Sequence, residues 1–234
     1  MANEFTFAYQ PIVDVAQRRV VSFEALVRGP NNEPAGWVLE QYTGEALRSF
    51  DIEARQRAIE LAVTLGLPCS INLNLLPDSA QIGDESAFMS TVDIARVCGL
   101  DLSRLVFEVS EMETISHFDL FVAQANLCRE LGVQFAIDDF GAGYAGLNLL
   151  AQFQPDTLKL DMELVRGVES RGPRQAIVRG VIRTCEDLGI EIVAEGVESL
   201  AEYDWLNGEG IRLFQGYLFA RPGFRVLPEV HFPS

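Results

Sequence analysis

Apolar residues come along this chain in short runs separated by longer amphipathic stretches. Eight of the short runs read as strands: residues 7–12, 20–26, 70–73, 105–109, 133–137, 157–160, 191–194 and 212–214. Several carry β-branched and other apolar side chains on successive positions, the pattern of strands buried on both faces. Between them, residues 51–65, 90–98, 118–131, 173–188 and 200–206 have helical patterning. Three of these helices run into Leu-Gly, at Gly66, Gly132 and Gly189, where glycine takes the left-handed turn past a helix end without steric cost. Pro173 suits a first helical turn, which has no use for its missing N–H.

Strand and helix in alternation predict a mainly parallel sheet. Eight strands suffice to close it into a TIM-like (β/α)8 barrel. Only residues 13–19 separate the first two runs, too few for a helical crossover, so this pair is expected as an antiparallel hairpin. The predicted fold is therefore α/β, a TIM-like barrel with one antiparallel strand near the N-terminus. An open doubly wound sheet is the structural alternative. No linker, repeat or low-complexity tract interrupts the 234 residues, and 1–234 is read as a single domain.

The charge balance, 18 basic against 34 acidic residues, gives −16 and argues against non-specific binding of DNA or of an anionic membrane. A phosphate-bearing ligand would need a local reversal of that field, and bound cations supply one. Cys69, Cys98, Cys128 and Cys185 are widely spaced and read as small buried thiols of a reducing compartment. His117 and His231 show no ligand spacing, which removes a zinc site. Residues 1–3 carry no signal-peptide character, and no apolar run reaches membrane-spanning length. The expectation is a soluble cytoplasmic protein without membrane insertion.

The polar residues give this scaffold a function. Glu24 and Glu108 lie near strand ends, Asn72 lies within a strand, Asp138 and Asp139 follow the fifth run, Lys159 is in the sixth, and Glu195 and Gln215 follow the seventh and eighth. In a barrel all of these gather at the C-terminal face, where barrel enzymes do their chemistry. A single acid at a strand end is usually a solvated rim residue or half of an ion pair, and Asp-Asp-Phe-Gly is often only a turn. Nearly every strand delivering a polar residue at one end weakens those readings. Five crowded carboxylates repel one another and raise each other's pKa. Divalent cations with oxygen ligands, Mg²⁺ or Mn²⁺, relieve that repulsion. Two such ions, typically about 3.5–4 Å apart, clamp a phosphoryl group and activate water. Lys159 adds a separate signal: it is the sole lysine of the chain and sits in an apolar strand, where an incidental lysine is rarest.

These residues also fall into a recognisable series. Tyr9-Gln10-Pro11-Ile12 and Glu24-Ala25-Leu26 with Arg28 are followed by Asn72 and by Phe107-Glu108-Val109-Ser110-Glu111. Then come Asp138-Asp139-Phe140-Gly141-Ala142-Gly143-Tyr144, Lys159-Leu160-Asp161, Ala194-Glu195-Gly196-Val197-Glu198 and Gln215-Gly216-Tyr217. In content and order the chain resembles the EAL family of cyclic di-GMP phosphodiesterases. Its variations are similar to those of EAL domains attached to blue-light flavin sensors.

The resemblance implies a barrel with one reversed strand that hydrolyses cyclic di-GMP to linear pGpG with two Mg²⁺ or Mn²⁺ ions and is inhibited by Ca²⁺. By matching position it makes Glu24, Asn72, Glu108, Asp138, Asp139 and Glu195 metal ligands, with Asp138 bridging. Lys159, Glu195 and Glu24 become catalytic residues, Lys159 orienting the water. Gln10, Leu26, Arg28, Asp161 and Gln215 become substrate contacts, and Glu111 the anchor of the loop after Asp139. A homodimer and a sensory or regulatory protein partner are implied as well. Two departures stand out. Gly29-Pro30 replaces the family's tryptophan after the arginine, and the segment 31–43 is short. The loop after Asp139 lacks two hydroxyls, at Ala142 and Ala145. These departures keep an alternative open: a catalytically weak or silent module serving as a cyclic di-GMP receptor or protein-interaction regulator.

Overall fold

The hairpin demanded by the short 13–19 connection is present. Strand β1 (Thr6–Asp14) pairs antiparallel with β2 (Arg19–Arg28), from Thr6 opposite Arg28 to Asp14 opposite Arg19. From β2 onward each neighbour is parallel: β3 (Ser70–Asn74), β4 (Leu105–Ser110), β5 (Gln134–Phe140), β6 (Thr157–Leu160), β7 (Glu191–Ala194) and β8 (Leu213–Phe214). β8 returns to β1, antiparallel, with Val13 opposite Phe214, and closes the ring. The result is a TIM-like barrel with its first strand reversed. The computed structural model describes residues 4–76, 86–111, 115, 117–143 and 146–233.

Ladder pairing between β8 and β1 involves Val13 and Asp14 on the β1 side, extended by Val15 N–H donating to Arg212 O at 3.1 Å. A short strand, β9 (Gly223–Phe224), takes up part of the remaining β1 edge, with Ala8 opposite Phe224. Two paired residues leave no periodicity in a sequence, and β9 is absent from the eight predicted runs.

The helices are α1 (Ala35–Leu39), α2 (Glu45–Thr64), α3 (Ser86–Val97), α4 (Phe118–Glu130), α5 (Gly146–Gln152), α6 (Met162–Val165), α7 (Gly172–Leu188) and α8 (Leu200–Gly208). Five match the predicted stretches, although α2 begins at Glu45 rather than 51 and α3 at Ser86 rather than 90. Gly66, Gly132 and Gly189 all take positive φ just beyond their helices, as expected. Ser199 and Glu202 form a reciprocal capping box that starts α8. On α7, Val181 and Cys185 enter the core, whereas Ile177 is exposed and Val178 is buried in its stead.

Side-chain alternation along β4 and β5 separates two environments. Phe107 and Phe135 face the helices, meeting Phe88 of α3 and Phe121 of α4 in an edge-packed aromatic cluster. Glu108, one residue on, faces the barrel axis. The helix-facing side of these two strands is thus aromatic, and the axis is left to polar chemistry.

Candidate metal centre

Lys159 is at the middle of the site. Its side chain is 1% exposed, and its Nζ lies 2.7 Å from Glu108 Oε1, 2.8 Å from Glu195 Oε1, 2.9 Å from Asp138 Oδ1 and 3.2 Å from Glu24 Oε2. Four strands, β2, β4, β5 and β6, and the residue after β7 supply these groups. Parallel register sets Glu24 opposite Asn72 across β2–β3, and Lys159 opposite Val193 across β6–β7, two residues before Glu195.

Neutral groups hold the acids in place. Gln215 Nε2 donates to Glu24 Oε2 at 2.8 Å, and Asn72 Nδ2 donates to Glu108 Oε1 at 2.8 Å. Ser22 Oγ donates to the Asn72 carbonyl oxygen. In this orientation the amide nitrogen of Asn72 faces the acids; exchange of the amide ends would keep the Ser22 contact, since a hydroxyl donates or accepts, but would set the amide oxygen against the Glu108 carboxylate, two acceptors that need a cation or a proton between them. Asn74 Nδ2 reaches Glu24 Oε1 at 3.5 Å. Neither Ser22 nor Asn74 is singled out by the sequence reading. Their signal is strand alternation: Ser22 shares a strand face with Glu24, and Asn74 follows Asn72 by two.

Asp138 and Asp139 lie within β5, not after it as the sequence suggests. The ladder between β5 and β6 is irregular between Ile137 and Phe140, and Asp139 has φ +55°. A non-glycine residue in the left-handed region costs energy and is common at functional sites. The kink lets two adjacent residues both serve the site, which a regular strand forbids. Ser110 Oγ donates to Asp139 Oδ2 at 3.4 Å, and the Asp139 N–H donates to Asp138 Oδ1 at 3.0 Å.

The electrostatics show what this costs. Burial raises the Glu108 carboxyl to about 8, with Lys159 pulling down and Glu24 and Asp138 pushing up. Burial, with Asp138 next, lifts Asp139 to about 6. Glu195 is held well above the ordinary range, again chiefly by burial. Burial alone would lower the Lys159 ammonium, but Asp138, Glu108, Glu195 and Glu24 together hold it well above its usual value. Five carboxylates thus share one ammonium.

Two sets of ligand atoms fall within 4.8 Å of one another: Glu24, Glu108 and Asp138, and Asp138, Asp139 and Glu195. Asp138 is common to both. Glu108 Oε2 is buried and has no hydrogen-bond partner, although such groups are normally satisfied. An orphaned carboxylate oxygen in an all-oxygen acidic ring is a donor set that fits a hard divalent cation.

The remaining predicted residues divide. Glu111 accepts from Gly141 N at 2.6 Å and from Gly146 N at 2.8 Å, and so grips the loop after β5 at both ends through its backbone. Ala142 lies in that loop, while Tyr144 and Ala145 lie outside the described residues. Gln10 is level with Glu24 across the hairpin, and Leu26 is level with Ala8. Arg28 lies at the rim, within electrostatic reach of Tyr217 and Glu24, and half-burial lowers its pKa. Asp161 follows β6, and its Oδ1 accepts from Glu163 N at 2.7 Å and caps α6.

Known proteins are similar to this chain in sequence and fold. The blue light- and temperature-regulated antirepressor BluF of Escherichia coli (strain K12) is 36% identical over 229 residues, covering 97% of this chain and 57% of BluF. A standalone versatile EAL protein from Vibrio cholerae O395, solved in a c-di-GMP-bound form, is 40% identical, with a TM-score of 0.93 over 99% of this chain and 97% of that one. Klebsiella pneumoniae BlrP1, solved as a manganese/cy-diGMP complex at pH 9.0, is 44% identical, with a TM-score of 0.90 over 96% of this chain and 57% of BlrP1. The chain thus spans little more than half the length of BluF and of BlrP1. The sequence profile described as EAL domain matches residues 1–222, and on that evidence this chain belongs to the EAL domain family.

Proposed function

We propose that this chain is a divalent-metal-dependent phosphodiesterase that hydrolyses cyclic di-GMP to linear pGpG. The observation that carries the reading is the pair of carboxylate triads sharing Asp138, with the unpartnered Glu108 oxygen beside them. The c-di-GMP complexes of the Vibrio cholerae and Klebsiella pneumoniae relatives support the substrate. Glu24, Asn72, Glu108, Asp138, Asp139 and Glu195 would hold two Mg²⁺ or Mn²⁺ ions. When bound, such ions supply Lewis acidity towards the phosphoryl oxygens and make water acidic enough to attack at neutral pH.

The chain's own residues do the rest. Lys159 orients the attacking water and sets a fixed positive charge where negative charge grows on phosphorus. Glu195 is the proton acceptor. Glu24 is locked by Gln215 and keeps the opposite wall of the site rigid. Arg28 at the rim takes a phosphate oxygen. One water proton passes to Glu195 as the water oxygen bonds to phosphorus, the opposite P–O ester bond breaks, its oxygen takes up a proton from solvent, and the ring opens. Glu111 holds the loop after β5 by backbone donors, so the missing hydroxyl of Ala142 leaves both of those bonds in place. The reading carries with it a cytoplasmic homodimer answering to a sensory or regulatory partner.

The test is incubation of the purified protein with cyclic di-GMP and Mg²⁺ or Mn²⁺, with Ca²⁺ as control, and chromatography of the products. Linear pGpG with Mg²⁺ or Mn²⁺ alone is expected, and the Glu24→Ala variant should make none. A second reading, a silent module that binds cyclic di-GMP or a partner protein, is favoured by the likeness to an antirepressor. Saturable binding without product from the intact protein would replace the first reading with the second, and neither binding nor product in a folded sample would remove cyclic di-GMP from both.

A further inference from the structure

The short segment after Arg28 is a built turn. Gly29 N–H donates to the Glu33 carbonyl at 3.0 Å, and Asn32 N–H donates back to Gly29 O at 3.0 Å. Asn32 takes φ +70° at the corner. The Glu33 carboxylate accepts from Asn31 N at 2.8 Å and from Asn31 Nδ2 at 3.0 Å. Pro34 then leads into α1, which Val38 anchors in the core. This turn folds α1 back over the end of β2.

The residue it returns there is Trp37. A Cβ added to Gly29 would meet the Trp37 six-membered ring at 2.9 Å and the Glu33 side chain as well. The Glu33 carboxylate, the nearer of the two, and the indole together fill the side-chain space at Gly29, which sets Trp37 one residue from Arg28. Trp37 nevertheless stays 44% exposed. A large aromatic seated against the chain on one side and open to water on the other presents a flat apolar face to a ligand. Across the rim, Tyr217 is also exposed, and Arg221 stacks over its ring at 4.2 Å.

We propose that Trp37 is a substrate-contacting residue, stacking on a purine base of the cyclic dinucleotide beside the phosphate held by Arg28. A base offers a neutral π-face, and stacking on it does not contend with the strongly negative charge of the protein. The ligand in this proposal comes from the phosphodiesterase reading above.

The chain has two tryptophans, and Trp205 lies on α8 beneath Arg179, so Trp205→Phe leaves Trp37 as the single indole reporter. That variant is titrated with cyclic di-GMP in Ca²⁺, with emission and calorimetry followed in parallel. Quenching that saturates together with the calorimetric signal is expected. Trp37→Ala should weaken binding by about tenfold or more. It should raise KM while kcat stays within about threefold. Trp37→Phe should restore most of the affinity and Trp37→Leu should not. Calorimetric binding with unchanged emission, or Trp37→Ala binding as tightly as the parent, overturns the proposal and leaves the phosphodiesterase reading standing. Absence of any binding by calorimetry removes both.

Discussion

Lys159 shows how one residue can hold a crowded acidic site together. A single buried ammonium contacts four carboxylates, and removing one partner of such a buried set typically costs about 3–5 kcal/mol. Lys159→Met is therefore expected to lower the stability of the metal-free protein by that order, read as a reduced urea midpoint in EDTA. It should also cut turnover by roughly 10²–10³, and Lys159→Arg should not restore it, because a planar fork cannot replace a compact ammonium among four acids. The thiols give a second prediction. Burial pushes Cys69, Cys128 and Cys185 up to about 11, leaving roughly one thiolate per thousand at pH 8. Cys98, partly exposed on the flank of the barrel, is raised as well, by burial and then by Glu60. A thiol reagent at pH 8 should give one faster phase, abolished in Cys98→Ser, and three slow ones that speed up with pH. At this scale the acids and Lys159 were legible because strand ends in a barrel converge. The positive φ of Asp139 and the Ser22–Asn72 contact were not, since both depend on register and on a local kink that no residue pattern encodes.

Among the elements, long periodic ones were readable and short ones were not. The strands over 157–160 and 191–194 stand at the bounds predicted for them, because apolar runs flanked by polar turns leave little freedom. α1, α5, α6 and β9 span two to seven residues, too few for any period to show, and two of them matter to the site: α1 carries Trp37, and α5 opens at Gly146 on the Glu111 clamp. Glycines test the packing of elements directly. A Cβ at Gly216 would run into the backbone of Val197, whose N–H donates to Gln215 O at 3.1 Å. Gly216→Ala should cost about 1–3 kcal/mol by overpacking and should lower activity, since Gln215 positions Glu24. Gly180 is in the middle of α7 with open space around its Cβ direction. Gly180→Ala should stabilise by about 0.5–1 kcal/mol and leave activity alone. Thermal unfolding of the two variants checks both signs at once.

The whole molecule was legible as a barrel with one reversed strand, because a seven-residue connection rules out a crossover; the ninth strand and the narrow β8–β1 closure were not. Among the described residues no helix is long and apolar enough to cross a membrane. The reversal of β1 has a consequence for how such a barrel can be wired. In an all-parallel barrel the chain enters at the face away from the chemistry. Here Thr6 is opposite Arg28, so the chain enters at the substrate rim. At the other extreme, Phe232 packs under Arg18, whose guanidinium donates to the Pro233 carbonyl at 3.2 Å, and Arg18 belongs to the turn at the base of the hairpin. The two ends of the described chain thus open onto opposite faces. A folded domain joined ahead of Phe5 by a short tether would sit over the rim at an effective concentration of order millimolar, whereas one joined after Pro233 would hang below the barrel. Fusing the same inert domain at each end should raise KM in the first case and leave it unchanged in the second. In such a fusion the entry side would be a port for control, and the exit side a place for tethering that the chemistry does not feel.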